Sequence, residues 1–345
     1  MDYKRLDSID ILRTISIIIM VVANSSPYIL VTPHSIWLRI ISSIAAPLFI
    51  FLSGYSFFVS FNRNKNFYYK IFQSFYLILS AVFLDAVIWR ILPFQTFDVL
   101  YLISFALLIN LVLFKLSLNV KLIFTFLFIF ASFILQYVLD YRFDINDNQL
   151  ENINWNEINL LSIFEVKRCL IDGWFPLFPW LGISILGHIV AQKSELIFNH
   201  LKFIKFSSLL ASIIFGILLI YNQTYVQERE GYLELFYPPS LYFIFFEISV
   251  IFLLFSIFNK FDFIKKSKFK FLCLLGRKSL FIYLYHAFII SFLFQNYFIP
   301  LSPLLFSITI FLFIISCFIF AFIAEFLEKN NCLKYIPFKA ILGLK

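Results

Sequence analysis

Apolar residues in this chain come in long unbroken runs separated by short polar connections. Ten runs stand out, at roughly 9–30, 36–61, 71–92, 97–114, 122–139, 175–191, 206–221, 239–258, 271–294 and 304–327. About 18 mostly apolar residues suffice for a helix to span a bilayer. A membrane β-barrel would instead show segments of alternating polarity. The pattern therefore predicts an all-α polytopic membrane protein with about ten transmembrane helices.

Composition agrees. The chain has 345 residues, 61% hydrophobic and 14% charged, with mean hydropathy +0.90. A soluble domain carries about a quarter charged residues. The net charge of +8 raises the question of nucleic acid, and the positions of the charges answer it. Of the 28 basic residues, only Arg39, Arg90, Arg142, Lys167, Arg168 and Arg229 lie in or beside the odd-numbered connections. The remainder cluster at the termini and in the even-numbered connections. This is the bias of cytoplasmic loops, so both termini are expected in the cytoplasm and no nucleic-acid partner is expected. Lys4 and Arg5 before an apolar run resemble a signal peptide, but Asp10 and Arg13 interrupt that run and further spans follow, so a retained first helix is expected. The four cysteines, Cys169, Cys273, Cys317 and Cys332, imply no disulfide framework, and no metal motif is present.

Residues 1–345 are expected to form one transmembrane domain with an outer polar loop at about 140–174. That loop is rich in carboxylates, from Asp140 to Asp172, and reads either as a solvated linker or as a segment that caps the outer mouth or contacts an acceptor. A second outer loop, at about 222–237, carries Glu228, Glu230 and several tyrosines.

Few residues carry candidate chemistry. His34, between Pro33 and Trp37, lies on the expected outer side; it is either an interfacial histidine beside a belt tryptophan or a proton acceptor or nucleophile. Asn24 closes the first apolar run and reads as a helix terminus. Asp10 and Arg13 share a helix face at the inner edge, either as a local ion pair or with Arg13 free to meet a phosphate. Residues 172–187, DGWFPLFPWLGISILG, open a span with Pro176, Pro179 and Trp180; Gly182 and Gly187 allow close helix approach. In 276–290, GRKSLFIYLYHAFII, Arg277 and Lys278 sit at the inner face, and His286 lies about 12 Å deeper than Lys278. Buried ionisable groups are functional candidates by default; a neutral histidine bonded to a neighbouring helix is the plainer reading. Asp85 and Glu247 are further deep charges, and His188 and His200 read as structural.

These segments also carry a resemblance. SIDILRTISIIIMVVAN at 8–24, His34 and Trp37, PLFIFLSGY at 47–55, the FPLFPWLG of 175–182, Tyr237 to Ser240, and LGRKSLFIYLYH at 275–286 resemble the heparan-alpha-glucosaminide N-acetyltransferase family in the same order. The family's members pass an acetyl group from acetyl-CoA to a sugar amine across a membrane. The resemblance implies a catalytic His34 assisted by Asn24. The related acyltransferase-3 family usually has histidine at the place of Asn24, counted from Arg13. Members of the resembled family often carry an aspartate shortly before the proline of the second helix; Ser42, Ser43 and Ile44 precede Ala45-Ala46-Pro47 here.

The expected function is a membrane-embedded acyltransferase, moving an acetyl group from cytoplasmic acyl-CoA to an extracytoplasmic glycan or other small acceptor. Catalysis is expected at His34 and Asn24, donor binding at Arg13, Arg277 and Lys278, and contact with substrate or cavity at Trp37, Trp180, Pro179 and His286. Acetyl-CoA is the expected donor, no metal is expected, and the partners are acyl-CoA, the acceptor and the lipid bilayer, with a homodimer left open. The expected location is a prokaryotic cytoplasmic membrane. The alternatives are an acyltransferase-3-type O-acyltransferase and a transporter or flippase of a glycan or lipid-linked substrate; the latter would favour internal repeats, and none is evident.

Overall fold

The computed structural model describes residues 7–142, 166–222, 233–260, 267–297 and 299–330. Most of the polar loop expected at about 140–174, and residues 223–232 of the second outer loop, lie outside the described residues. Eight described helices are long and apolar enough to cross a membrane, and two shorter apolar helices occupy the remaining two runs. The only bridge between extended residues among those described is an isolated one, Leu30 to Leu301. The protein is all-α and polytopic.

In chain order the helices are α1 (Asp7–Ile29), α2 (Ile36–Ser43), α3 (Ala45–Asn64), α4 (Phe67–Phe83), α5 (Val99–Leu113), α6 (Leu118–Val138), α7 (Leu177–Gln192), α8 (Ser194–Asn199), α9 (Leu201–Asn222), α10 (Leu241–Lys260), α11 (Cys273–Arg277), α12 (Ser279–Ile289) and α13 (Pro303–Lys329). Single π-helical turns extend α4 over Leu84–Trp89 and α12 over Ile290–Phe294.

Two boundaries differ from the expectation. Asn24 does not end the first helix, because α1 continues to Ile29. The second run divides at Ile44 into α2 and α3. Pro47 has no N–H to offer the Ser43 carbonyl. The Ser43 hydroxyl bonds back to the Arg39 carbonyl at 2.8 Å and accepts from the Leu235 N–H at 2.8 Å. Back-bonding of this kind loosens a helix ladder.

The described residues divide into two compact units, one drawn from 50–203 and 236–248, the other from 7–49, 204–235 and 249–330. In the first unit, glycines set the helix contacts. A Cβ on Gly54 of α3 would lie 1.9 Å from the Ser184 carbonyl oxygen of α7, and one on Gly187 would lie 2.0 Å from that of Phe51. Gly182 faces α6 instead, 2.7 Å from Ile129. Small residues allow such backbone approach inside a membrane, where packing rather than hydrophobic exclusion holds helices together.

The short helices of this unit, α5 and α7, have 15 and 16 residues, or about 22–24 Å of rise against a hydrocarbon core of about 30 Å. Their leading segments are irregular and bond each other: Trp174 N–H to the Thr96 carbonyl at 2.7 Å and Phe175 N–H to that of Phe97 at 2.9 Å. Irregular backbone at membrane depth requires internal partners. Asp85 completes the joint, accepting from Thr96 Oγ1 at 2.8 Å, Tyr101 OH at 2.9 Å and Phe94 N–H at 3.1 Å. This deep charge therefore has a structural role.

In the second unit, α11 lies on the first turns of α1. A Cβ on Gly276 would stand 2.0 Å from the Asp10 carbonyl oxygen. The Thr14 hydroxyl lies 2.5 Å from the Leu272 carbonyl and accepts from the Gly276 N–H at 3.0 Å. At the other end of α1, Val31 N–H bonds the Leu301 carbonyl and Leu301 N–H bonds that of Ile29, at 3.2 and 2.8 Å.

Candidate functional site

The second unit gathers most of the candidate residues in two places along α1. Near its start, the buried Asp10 carboxylate faces two arginines. Arg13 Nη1 is 3.2 Å from Oδ1, the pair expected from their spacing, and Arg277 Nε is 3.9 Å from Oδ2. Arg277 also lies 3.9 Å from Glu325 on α13, and Lys278 bonds Glu328 one turn further along the same helix. The three expected donor-binding cations therefore belong to one cluster, each answered by a carboxylate. Arg277 is the most accessible, with 32% of its side chain exposed against 18% for Arg13.

Asn24 stands 14 residues beyond Asp10, or about 21 Å along the helix. Its Nδ2 is 3.0 Å from Nε2 of His286 on α12. His286 is buried, and its ring meets Tyr283 edge-on with centroids 5.0 Å apart. With the amide in this orientation, Asn24 donates and His286 Nε2 accepts. The plainer expectation for His286, a histidine bonded to a neighbouring helix, describes this contact, and its partner is a residue expected to be catalytic. No hydrogen bond joins Asn24 to His34 among the described residues.

His34 lies in the connection between the Leu30–Leu301 bridge and the N-cap of α2, where the Ser35 hydroxyl accepts from Leu38 N–H at 3.3 Å. The residue is half-buried, yet its Nε2 is closed off from solvent and has no hydrogen-bond partner among the described residues. Trp37 follows on the open side of α2 and is 65% exposed. The opposite side of α2 is tied down, with buried Arg39 donating from Nε to the Leu233 carbonyl at 3.1 Å. Withdrawal from water raises the neighbouring Glu234 carboxyl from 4.5 to about 7, with Arg39 opposing the shift.

Pro179 and Trp180 belong to the first unit. Trp180 is fully buried, and its ring meets Phe236 and Phe175 at centroid distances of 5.0 and 5.9 Å. Glu247, also in that unit, lies on the buried stripe of α10 with Phe243 and Ile244, and neither carboxyl oxygen has a partner among the described residues.

Sequence reading missed the carboxylates that complete the cation cluster. Their signal was present: Glu325 and Glu328, three apart, interrupt an otherwise apolar final helix. It counted Lys121 with an even-numbered connection and read His188 as structural. Both are buried within helices, and they meet at 3.3 Å between Nζ and Nε2. Asn110 Oδ1, 2.9 Å from His188 Nδ1, fixes the other side of that ring.

No curated protein matches this chain. The model of the heparan-alpha-glucosaminide N-acetyltransferase catalytic family matches residues 5–224, a range that includes Arg13, Asn24, His34, Trp37, Pro179 and Trp180 and ends before Arg277, Lys278 and His286. That range is more than half of the chain, and the protein belongs to this family of membrane acetyltransferases.

Proposed function

We propose that the protein takes the acetyl group of acetyl-CoA on the cytoplasmic side and delivers it to an extracytoplasmic sugar amine or hydroxyl of an envelope glycan. His34 is the observation that carries this reading. An imidazole nitrogen that is shielded from water and has no partner among the described residues is available to a substrate. It can remove the acceptor's proton as the acceptor attacks the thioester, so that the new C–N or C–O bond forms, the C–S bond breaks and the proton passes to the departing thiolate. It can also take the acetyl group itself and pass it on.

Arg277 is the leading donor contact. Its two ion pairs are long, at 3.9 Å, and a guanidinium has N–H donors to spare for a phosphate. Arg13 and Lys278 supply charge to the same cluster. The bias of basic residues toward this side supports a cytoplasmic location for the cluster and both termini, in a prokaryotic cytoplasmic membrane. Asn24 and His286 serve as a positioning pair.

The test is acetyl transfer from labelled acetyl-CoA to a glucosamine-bearing acceptor by the purified protein in liposomes. His34→Ala is expected to lower turnover by about 100- to 10,000-fold, with acetyl-CoA affinity held within a few-fold. Wild-type turnover in that variant would overturn the role of His34.

A further inference from the structure

The first unit holds two buried ammonium groups that no carboxylate answers among the described residues. Lys70, in the first turn of α4, donates to Ser60 Oγ at 2.7 Å and Gln73 Oε1 at 3.0 Å. Lys121, in the first turn of α6, donates to the Phe114 carbonyl at 3.1 Å, to Gln192 Oε1 at 2.8 Å and to His188 Nε2 at 3.3 Å. Each of these acceptors is neutral or can be. Lys70 lies 5.5 Å from the Phe57 ring centre and Lys121 lies 5.9 Å from that of Phe114. Those rings belong to one aromatic cluster with Phe58, Phe61 and His188, in which neighbouring centroids are 4.7 to 6.1 Å apart.

Both lysines thus stand at the end of the unit where α3, α5 and α7 finish and α4 and α6 begin. Arg63, Lys65, Lys115 and Lys193 add positive charge in the same turns, and the only carboxylate there among the described residues is Glu195. Burying a charge without a counter-charge costs several kcal/mol, of which ring faces and neutral acceptors return a part. Arg13, Arg277 and Lys278 in the second unit show the contrast, since each of these three faces a carboxylate.

We infer that this end of the first unit binds a phosphate-bearing anion through Lys70 and Lys121. Two ammonium groups around one aromatic cluster match the charge of about −2 on a phosphate ester. A lysine's flexible stem lets its ammonium turn from neutral acceptors toward such a group at the helix ends. Two carriers offer this chemistry: the phosphates of a CoA-type nucleotide and the headgroup of an anionic lipid. The inference does not depend on where acetyl transfer occurs.

The experiment measures the thermal stability of the full-length protein in detergent with added CoA, and separately with added phosphatidylglycerol against phosphatidylcholine. We expect a rise in melting temperature with CoA or with phosphatidylglycerol. Lys70→Met and Lys121→Gln should each shift the concentration needed for that rise by at least about tenfold. Loss of the CoA response assigns the site to a nucleotide, and loss of the phosphatidylglycerol response assigns it to a lipid. No rise with either ligand, or an unchanged rise in both variants, overturns the inference. Lys121 also supports His188 and Gln192, so its variant risks misfolding. Lys70→Met replaces an unanswered buried charge with an apolar chain and should raise the ligand-free melting temperature. Acetyl transfer is not the readout, so failure of the transfer reading leaves this test intact.

Discussion

The side-chain amide of Asn24 lies 3.0 Å from Nε2 of His286, joining α1 to α12 across 262 positions of sequence. Two residues that act through one hydrogen bond should not act additively. We expect Asn24→Ala and His286→Ala each to lower kcat, and the double variant to fall little further. Contacting pairs show couplings of about 0.5–3 kcal/mol. His286→Gln, which keeps a polar group within reach of Asn24, should retain more activity than His286→Ala, with KM for acetyl-CoA little changed. Additive losses, or equal damage from Gln and Ala, would remove the pair from the mechanism.

Arg277 gives a second prediction. Arg277→Ala is expected to weaken CoA binding by about tenfold or more, the loss of one charge-assisted contact. Binding of 3′-dephospho-CoA should weaken less. Calorimetry with both ligands measures the difference, and an equal loss for both argues against a contact to the 3′ phosphate.

Orientation gives a third. Reporters fused after Leu139 and after Phe258 should read outside and inside, respectively. The reverse at either place would undo the direction of transfer proposed above.

Packing gives a fourth. Gly54→Ala would put a methyl group 1.9 Å from a backbone oxygen of α7, so one helix must shift. We expect a lower melting temperature and poorer recovery in detergent, whereas an unchanged melting temperature would show that the approach of α3 to α7 is adjustable. Losses from forcing extra carbon into a packed interior run at about 1–3 kcal/mol.

Much of the helical framework was legible in the sequence, because apolar runs of spanning length have one interpretation in a bilayer. The Asp10–Arg13 pair was legible too, because three residues on a helix bring side chains together whatever else the chain does. The shortness of α5 and α7 was not. It depends on Thr96 and Phe97 bonding Trp174 and Phe175, a pairing that hydropathy does not register. The partner of Asn24 was hidden for a similar reason. His34 is ten positions away and His286 is 262 away, and only packing decides between them. The inner surroundings of Lys70 and Lys121 were hidden because a lysine at a helix start looks the same whether it faces water or turns inward.

The cation cluster has one more consequence. Arg277 and Lys278 are adjacent, at the break between α11 and α12, and they reach two glutamates three residues apart on α13. Two such bonds fix both the rotation and the height of α13 against that break. Inserting a single residue into α13 between Pro303 and Glu325 would turn the glutamates by about 100° and displace them by about 1.5 Å relative to the start of that helix. The outward positions of α13, such as Phe311, Leu312 and Phe322, have only exposed surface to fill. Over evolutionary time, then, α13 is free to exchange one greasy side chain for another, but not free to change its length.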